Sequence, residues 1–381
     1  MPDSRLAVVI NSLGTGGAET QLRSLLPELG RREWHVRAFC LLEPGPLAGD
    51  LQSAGIRVDS IGLRKRDPRW IRSGQLLGRA LRDFRPDVLH AHLTQATLVA
   101  RLARRASGAS LLVDSIHYTE GEPTWKAWAY RLTGGLSDAT SVLSEQSRTE
   151  QIRLRAVPPA KLIIMPNGVD VDLFVRDPAS RANARAHLGL GTAFTWITVG
   201  RLVEEKDHET LVQAFLAVQR SHPGTRLLVV GDGPNSAAIR ELLRMHDLLD
   251  SVDLVGEVRD VRPYLNAADA FVLSSRREGL PMALLEALSM ELPVVSTGVG
   301  SISDVVESDR SGLLVRPADP DALALAMTRV THLPDRSRRE MGTRGRETVS
   351  ARYGVSAVAD AWDGFYRSGG VIHPTPSEVT G

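Results

Sequence analysis

The chain has one cysteine, Cys40, among 381 residues. No disulfide can form within it, which fits a reducing compartment. Cys40 sits in the apolar run Val36–Leu42 and reads as a small buried hydrophobe. No apolar run reaches the ~18 residues of a membrane-spanning helix, and the N-terminus has no signal-peptide core. The expectation is a cytoplasmic protein that spans no membrane but could lie at its inner face. Net charge is almost absent, with 46 Lys+Arg against 45 Asp+Glu, so nothing draws the whole chain toward nucleic acid.

That near-zero sum hides an asymmetry. Residues 1–168 carry 23 basic against 16 acidic side chains, and residues 169–381 carry 23 against 29. The differences, +7 and −6, add to the overall +1. Basic clusters in the first half are Arg64-Lys65-Arg66 with Arg69 and Arg72, and Arg101 with Arg104-Arg105. They read either as solvated helix faces or as contacts to an anionic lipid surface or a phosphorylated acceptor.

Short apolar runs alternate with amphipathic stretches. Strands are expected at Leu6–Ile10, Val36–Leu42, Ile56–Ile61, Asp87–His90, Leu111–Ile116, Ala139–Leu143 and Lys161–Met165. Helices are expected at Ala18–Leu29, Trp70–Phe84, Ala96–Ala106 and Trp125–Leu132. After the turn signal Pro166-Asn167-Gly168 and a polar, Arg/Ala-rich segment, the rhythm restarts. Strands then fall at Thr195–Val199, Arg226–Val230, Val252–Val255, Ala270–Leu273, Pro293–Ser296 and Gly312–Val315, with helices between and after them. This alternation predicts an α/β protein: two doubly wound parallel-sheet, Rossmann-like domains facing a central cleft, at 1–168 and 169–354. A last helix, about 355–367, precedes a loose tail at 368–381.

In such sheets ligands bind beyond the carboxyl ends of the strands, and the chemically distinctive residues cluster there. Gly14-Thr15-Gly16-Gly17-Ala18-Glu19 follows the first strand. It is either a phosphate-approach loop or a plain tight turn. Glu19 stands where a dinucleotide fingerprint needs its third glycine, which counts against nicotinamide. Gly200-Arg201 and Lys206 follow Thr195–Val199. The two cations could neutralise a diphosphate leaving group, or form an exposed basic loop beside Glu204, Glu205 and Asp207. Gly231-Asp232-Gly233-Pro234 follows Arg226–Val230. Glu278 follows Ala270–Leu273, ahead of Gly279-Leu280-Pro281-Met282 and a helix carrying Glu286. Pro281 suits the first helical turn, and the open N–H groups of a helix start attract anions. The two glutamates are too far apart to share one proton and look placed to hold two parts of one hydroxyl-rich ligand.

Histidines add a second set. His90-Ala91-His92 ends a strand, with both rings on one face. Lacking a third ligand nearby, they read as buried or cleft-lining rather than metal-binding. His117 ends the strand Leu111–Ile116 and is the better functional candidate. Asp170-Val171-Asp172 has a D-x-D pattern, but its place in the joining segment argues against a metal role.

Taken together, Gly16-Gly17-Ala18-Glu19, His117, Pro166–Asp170, Gly200-Arg201 with Lys206, Val230–Pro234 and Glu278 with Glu286 resemble the retaining family-4 glycosyltransferases of the GT-B fold. The resemblance runs from about residue 6 to 367. It implies that the first domain binds the acceptor and the second a nucleoside-diphosphate sugar, a UDP-sugar ahead of a GDP-sugar. Arg201 and Lys206 would hold the diphosphate, and the backbone of Gly279, Leu280, Pro281 and Met282 the sugar hydroxyls and distal phosphate. Glu278 would contact the transferred sugar, Glu286 the ribose, and His117 the sugar near the reacting carbon. Gly16 and Gly17 would close over the phosphate, and Gly231 and Gly233 would line the donor site. The resemblance implies no metal and no dedicated protein nucleophile. The last helix would return to the first domain.

The acceptor it implies is a saccharide or lipid-linked saccharide in bacterial surface polysaccharide or glycolipid assembly. Two other classes fit the same fold: a nucleotide-sugar epimerase or hydrolase, and a non-catalytic sugar-nucleotide-binding protein.

Overall fold

A strand covered on both faces must be apolar on both. Arg5–Ile10 (β1) is so from Leu6 onward, where every residue is buried. In the computed structural model, which describes residues 4–64, 72–117 and 124–371, successive β1 side chains enter different cores. Leu6, Val8 and Ile10 join one cluster, and Ala7 and Val9 the other. This is the period-two alternation of a strand sandwiched between helices.

The described residues fall into two compact units, one drawn from Met1–Gly168 with Val355–Gly381, the other Val169–Gly354. In the first, β1 leads to α1 (Gly17–Arg31), β2 (His35–Cys40), α2 (Ala48–Ser53), β3 (Arg57–Ser60), α3 (Ser73–Phe84), β4 (Val88–His92) and α4 (Thr94–Ser107). β5 (Leu111–Ser115), α5 (Thr124–Thr133), β6 (Ala139–Val142), α6 (Glu145–Arg153) and β7 (Leu162–Ile164) complete the run. The strands pair in parallel in the order β3-β2-β1-β4-β5-β6-β7.

The second unit contains α7 (Pro178–His187), β8 (Thr195–Val199), α8 (His208–Ser221), β9 (Arg226–Val230), α9 (Ser236–Met245), β10 (Val252–Gly256) and α10 (Arg262–Ala267). It continues with β11 (Ala270–Leu273), α11 (Met282–Ser289), β12 (Val294–Thr297), α12 (Ile302–Val305), β13 (Gly312–Val315), α13 (Pro320–His332) and α14 (Asp335–Arg352). Its parallel order is β10-β9-β8-β11-β12-β13. In each sheet the order reverses once, between β1 and β4 and between β8 and β11. Those are the topological switch points where such sheets hold ligands.

The last helix, α15 (Val355–Arg367), belongs to the first unit. Val358, Ala359, Trp362, Phe365 and Tyr366 bury one face among the leucines of α1. Arg32 Nε–Asp360 at 2.8 Å and Trp34 Nε1–Asp363 at 2.7 Å pin its outer edge. At the crossover Gly168 N donates to Gln21 Oε1 at 2.7 Å, and Val169 N to the Tyr353 carbonyl at 2.8 Å.

Three expectations need correction. The Arg/Ala-rich segment after residue 170 contains a helix, α7, with no buried residue. It escaped a reading by hydrophobic period because charge docks it. Asp177 caps its start, Arg181 pairs with Asp269 at 2.6 Å, and Arg185 reaches the same carboxylate at 3.3 Å. Arg101 is neither a solvated residue nor a surface contact, being 2% exposed. It donates to Asp114 at 2.6 and 3.1 Å, to the Tyr130 carbonyl at 3.1 Å and to Thr133 at 2.6 Å, joining α4, β5 and α5. Its neighbour Arg104 is committed to Asp138 at 2.7 Å. Third, Pro281 is the cap of α11 rather than part of its first turn: its ψ of 124° is extended, while its carbonyl accepts from Leu284 N at 3.1 Å. The cluster residues Lys65, Arg66 and Arg69, and the tail from 372 onward, lie outside the described residues.

Arg101→Met should destabilise the chain by about 3–5 kcal/mol, because it strands a buried carboxylate. Urea unfolding measures this; a loss below about 1 kcal/mol would mean that Asp114 finds another partner or a proton at little cost.

Candidate functional site

In the second unit the site begins with β8. Its apolar strand ends at Val199, and Gly200 to Val203 lead into a single 3-10 turn, Glu204–Lys206. Asp207 then caps α8, accepting from Thr210 Oγ1 at 2.8 Å. The neighbouring strand β11 ends at Leu273, and the loop after it is fastened to the first loop. Ser274 Oγ donates to the carbonyls of Lys206 and Asp207 at 2.9 and 3.0 Å. Arg276 Nε meets Asp207 at 2.8 Å, and Arg276 N donates to the Glu205 carbonyl at 2.8 Å.

This fastening brings Lys206 Nζ to Glu278 Oε1 at 2.5 Å. Ser275 Oγ donates to the same carboxylate oxygen at 2.6 Å. Glu278 is 7% exposed, so its charge is held by Lys206 and Ser275 rather than by bulk water. Glu286, on α11, is 6% exposed. Arg201 is exposed, with no partner among the described residues, and its guanidinium is open to an external anion.

Two glycines let these loops stack. Gly231, at φ +134°, passes so close to the first loop that a Cβ there would lie 2.0 Å from the Gly200 carbonyl oxygen. Gly300, at φ +58°, would put a Cβ 2.2 Å from the Glu278 carbonyl oxygen. Only glycine fits either place. Gly233 likewise lies against the Leu202 carbonyl, and Leu202 N donates to the Asp232 carbonyl at 3.0 Å. Thus Gly231 and Gly233 shape the Arg201 loop, and Gly300 seats the segment Glu278–Gly279. Ser301 N adds a bond to the Gly279 carbonyl at 2.9 Å, and Thr297 Oγ1 one to the Ser275 carbonyl at 2.6 Å.

Ser275, Thr297, Gly300 and Ser301 escaped the sequence reading. The signal was there: Thr297-Gly298-Val299-Gly300-Ser301 follows a strand end like the motifs that were singled out. His208, the first residue of α8, was missed as well. It is buried, and burial, aided by the Lys206 charge, lowers its pKa to about 4.

In the first unit Gly16 caps α1 and Gly17 opens it, with the Glu19 carboxylate folded under Gly16. This is the loop beyond β1, at the switch point. Across it, β4 extends to His92, and β5 leads to His117. His92 Nδ1 lies 2.9 Å from His117 Nε2. His90 bonds to Tyr366 Oη at 2.6 Å and to Ser115 Oγ at 2.7 Å. Within the D-x-D pattern the first carboxylate serves the backbone: Asp170 Oδ1 accepts from Asp172 N at 3.1 Å and Leu173 N at 2.9 Å. Among the described residues no three His, Cys, Asp or Glu side chains are grouped as metal ligands.

Comparison with known proteins matches both units. Residues 16–168 match the family described as glycosyl transferase 4-like domain, and residues 193–332 the glycosyl transferases group 1. The chain is 33% identical over 286 residues to the GDP-mannose-dependent alpha-(1-6)-phosphatidylinositol monomannoside mannosyltransferase of Mycobacterium tuberculosis, covering 71% of this chain and 74% of that one. It is 28% identical over 305 residues to the putative teichuronic acid biosynthesis glycosyltransferase TuaC of Bacillus subtilis, covering 79% and 75%. Among solved structures it is similar to Anabaena Alr3699/HepE in complex with UDP and glucose. The TM-score is 0.85 at 19% identity, covering 95% of this chain and 99% of that one. At that identity the likeness speaks for the fold alone.

Four buried imidazoles set a pH dependence. Burial lowers His90 to about 3 and His117 to about 4, and His92 well below the usual histidine value; His208 is at about 4. All four are depressed in the folded chain, so the unfolded chain binds more protons as pH falls from about 6.5. The stability they support is complete above about pH 6.5 and is lost toward pH 4. The unfolding free energy from urea titration should fall between pH 7 and pH 5, by up to roughly 1.4 kcal/mol per pH unit for each histidine. A flat profile over that range would show that these rings are not buried neutral.

Proposed function

This chain belongs to the group 1 glycosyltransferases with the GT-B fold, and on that premise we propose that it moves a sugar from a nucleoside diphosphate to an acceptor hydroxyl with retention of anomeric configuration. The observation that carries the site assignment is the Lys206–Glu278 pair at the β8/β11 switch point, in a loop that also carries the exposed Arg201. A diphosphate needs cations and a sugar needs hydrogen-bond acceptors, and this place has both.

In this reading Arg201 and Lys206 neutralise the charge that develops on the diphosphate as it leaves. The backbone of Gly279, Leu280, Pro281 and Met282, at the start of α11, takes the distal phosphate and the sugar hydroxyls. Glu278 accepts from the transferred sugar and Glu286 from the ribose, as ionised carboxylates accept strongly from hydroxyls. Gly16 and Gly17 bind phosphate through backbone N–H groups, and His117 meets the sugar near its reacting carbon. The attacking hydroxyl approaches on the face the diphosphate leaves from, and a phosphate oxygen takes its proton. The protein contributes positioning and fixed charge.

Lys206 is shared in this scheme. Without donor its ammonium is spent on Glu278, and a bound diphosphate competes for it. The Lys206–Glu278 contact itself gives the buried carboxylate a counter-charge until a diphosphate competes for it. The acceptor we propose is a saccharide or lipid-linked saccharide, in line with the mycobacterial relative, whose name specifies a glycolipid acceptor. Names in the comparisons include both GDP-mannose and UDP, so the donor base is a matter for direct measurement.

A panel of UDP- and GDP-sugars scored by thermal unfolding should single out one donor, which at 100 times its dissociation constant adds about 2.7 kcal/mol. No stabilisation by any sugar nucleotide would overturn the reading. Arg201→Ala and Lys206→Ala should each weaken nucleoside-diphosphate binding by about 1–3 kcal/mol in calorimetry; unchanged affinity removes that residue from the diphosphate site. Glu286→Ala should lower nucleotide affinity while Glu278→Ala lowers turnover, and the opposite pattern would exchange their roles. Transfer should persist with a chelator present. Product without an acceptor, as free or epimerised sugar, would instead indicate a hydrolase or epimerase.

A further inference from the structure

Three histidines meet at the ends of β4 and β5, and their hydrogen bonds are unequal. Both nitrogens of His90 are used, by Tyr366 Oη and Ser115 Oγ, and Ser115 passes the chain to Ser141 at 2.6 Å. His92 and His117 each use one nitrogen, on each other. Their outer nitrogens, His92 Nε2 and His117 Nδ1, are buried atoms without a partner among the described residues. A buried polar atom with nothing to bond is costly and calls for an explanation. The His90 ring, packed 4.0 Å from that of His92, is saturated and offers neither of them a bond.

The bond between two neutral imidazoles contains one proton. If it resides on His92 Nδ1, His117 Nε2 accepts, and the remaining proton of His117 must sit on Nδ1. If it resides on His117 Nε2, the remaining proton of His92 must sit on Nε2. The two tautomers are therefore locked together. Both outer nitrogens are buried atoms, and a buried N–H with no acceptor is a rarer, costlier defect than an unused lone pair. The residues differ in what can reach them: His92 is 2% exposed, whereas His117 ends its strand and is partly exposed as a residue. The proton with no internal acceptor is better placed on His117, where an incoming ligand can supply the acceptor.

We propose that His92 is a positioning residue, which by donating from Nδ1 to His117 Nε2 holds His117 as its Nδ1–H tautomer, so that His117 offers a neutral N–H to an oxygen of the transferred sugar. This rests on the reading of His117 as a sugar contact. It adds a constraint to that reading. With Nε2 occupied by His92 and Nδ1 carrying the proton, His117 has no free lone pair. It donates a hydrogen bond and cannot serve as the base that deprotonates the acceptor. Proton removal then falls to the departing diphosphate, and the free-histidine preference for Nε2–H is overridden by one neighbouring ring.

The test begins with nitrogen-15 NMR of histidine-labelled protein at pH 7, which reads the tautomer of each ring directly. His117 should be Nδ1–H in the unmodified protein, shift toward Nε2–H in His92→Leu, and stay Nδ1–H in His92→Asn, whose side-chain amide can still donate to Nε2. An Nε2–H resonance for His117 in the unmodified protein overturns the proposal whether or not any variant folds. In steady-state kinetics His92→Leu should lower kcat by roughly tenfold to a hundredfold with nucleoside-diphosphate affinity unchanged, and His92→Asn should restore most of it. If His117→Ala abolishes transfer while His92→Leu retains full kcat, His92 has no positioning role and the sugar contact stands. If His117→Ala leaves transfer intact, the sugar contact falls, and the NMR result still decides the tautomer.

Discussion

The close approach of backbone to backbone at the strand ends of the second unit is the constraint on which the rest depends. Gly231 lies against the Gly200 carbonyl and Gly300 against that of Glu278, where a Cβ would sit at 2.0 and 2.2 Å. A loop usually tolerates a side chain by moving outward. These loops are held inward by Ser274 on the carbonyls of Lys206 and Asp207, and by Thr297 on that of Ser275. Because the loops after β8, β9, β11 and β12 approach one another backbone to backbone, Lys206 reaches Glu278, and a buried carboxylate acquires its counter-charge.

The two units solve a similar problem with different chemistry. In the second, charge is paired at the β8/β11 switch point. In the first, the residues beyond the β1/β4 switch point are glycines and neutral histidines. Burial keeps His117 and His92 uncharged, so this side offers hydrogen bonds without adding or removing charge. The helix α15 supports the histidine side. Its Tyr366 saturates His90, and its apolar face is buried with α1.

Much of this was legible because it is written in short-range patterns. The alternation of β1, the glycines of 231 and 233, the cations 201 and 206 and the glutamates 278 and 286 all sit at fixed offsets from apolar runs. A strand end is visible in sequence because burial on both faces demands continuous hydrophobicity. The helix α7 was illegible for the converse reason. It buries no apolar face, and its docking depends on Asp269, more than eighty residues away. Arg101 looked like part of a basic surface cluster because nothing in its own segment announces Asp114.

The sequence by itself determined the two doubly wound sheets and the positions and residue types of the strand-end motifs, because these follow from local periodicity and turn chemistry. Only the tertiary structure decided which of those residues pair. Lys206 was expected to act on a diphosphate and Glu278 on a sugar, yet in the fold they hold each other. His92, read as a buried or cleft-lining histidine, is the hydrogen-bond partner of His117. Both pairings join loops or strands that are adjacent in space but distant in the chain, and hydrogen bonding has no range along a sequence, only across a few ångströms of space.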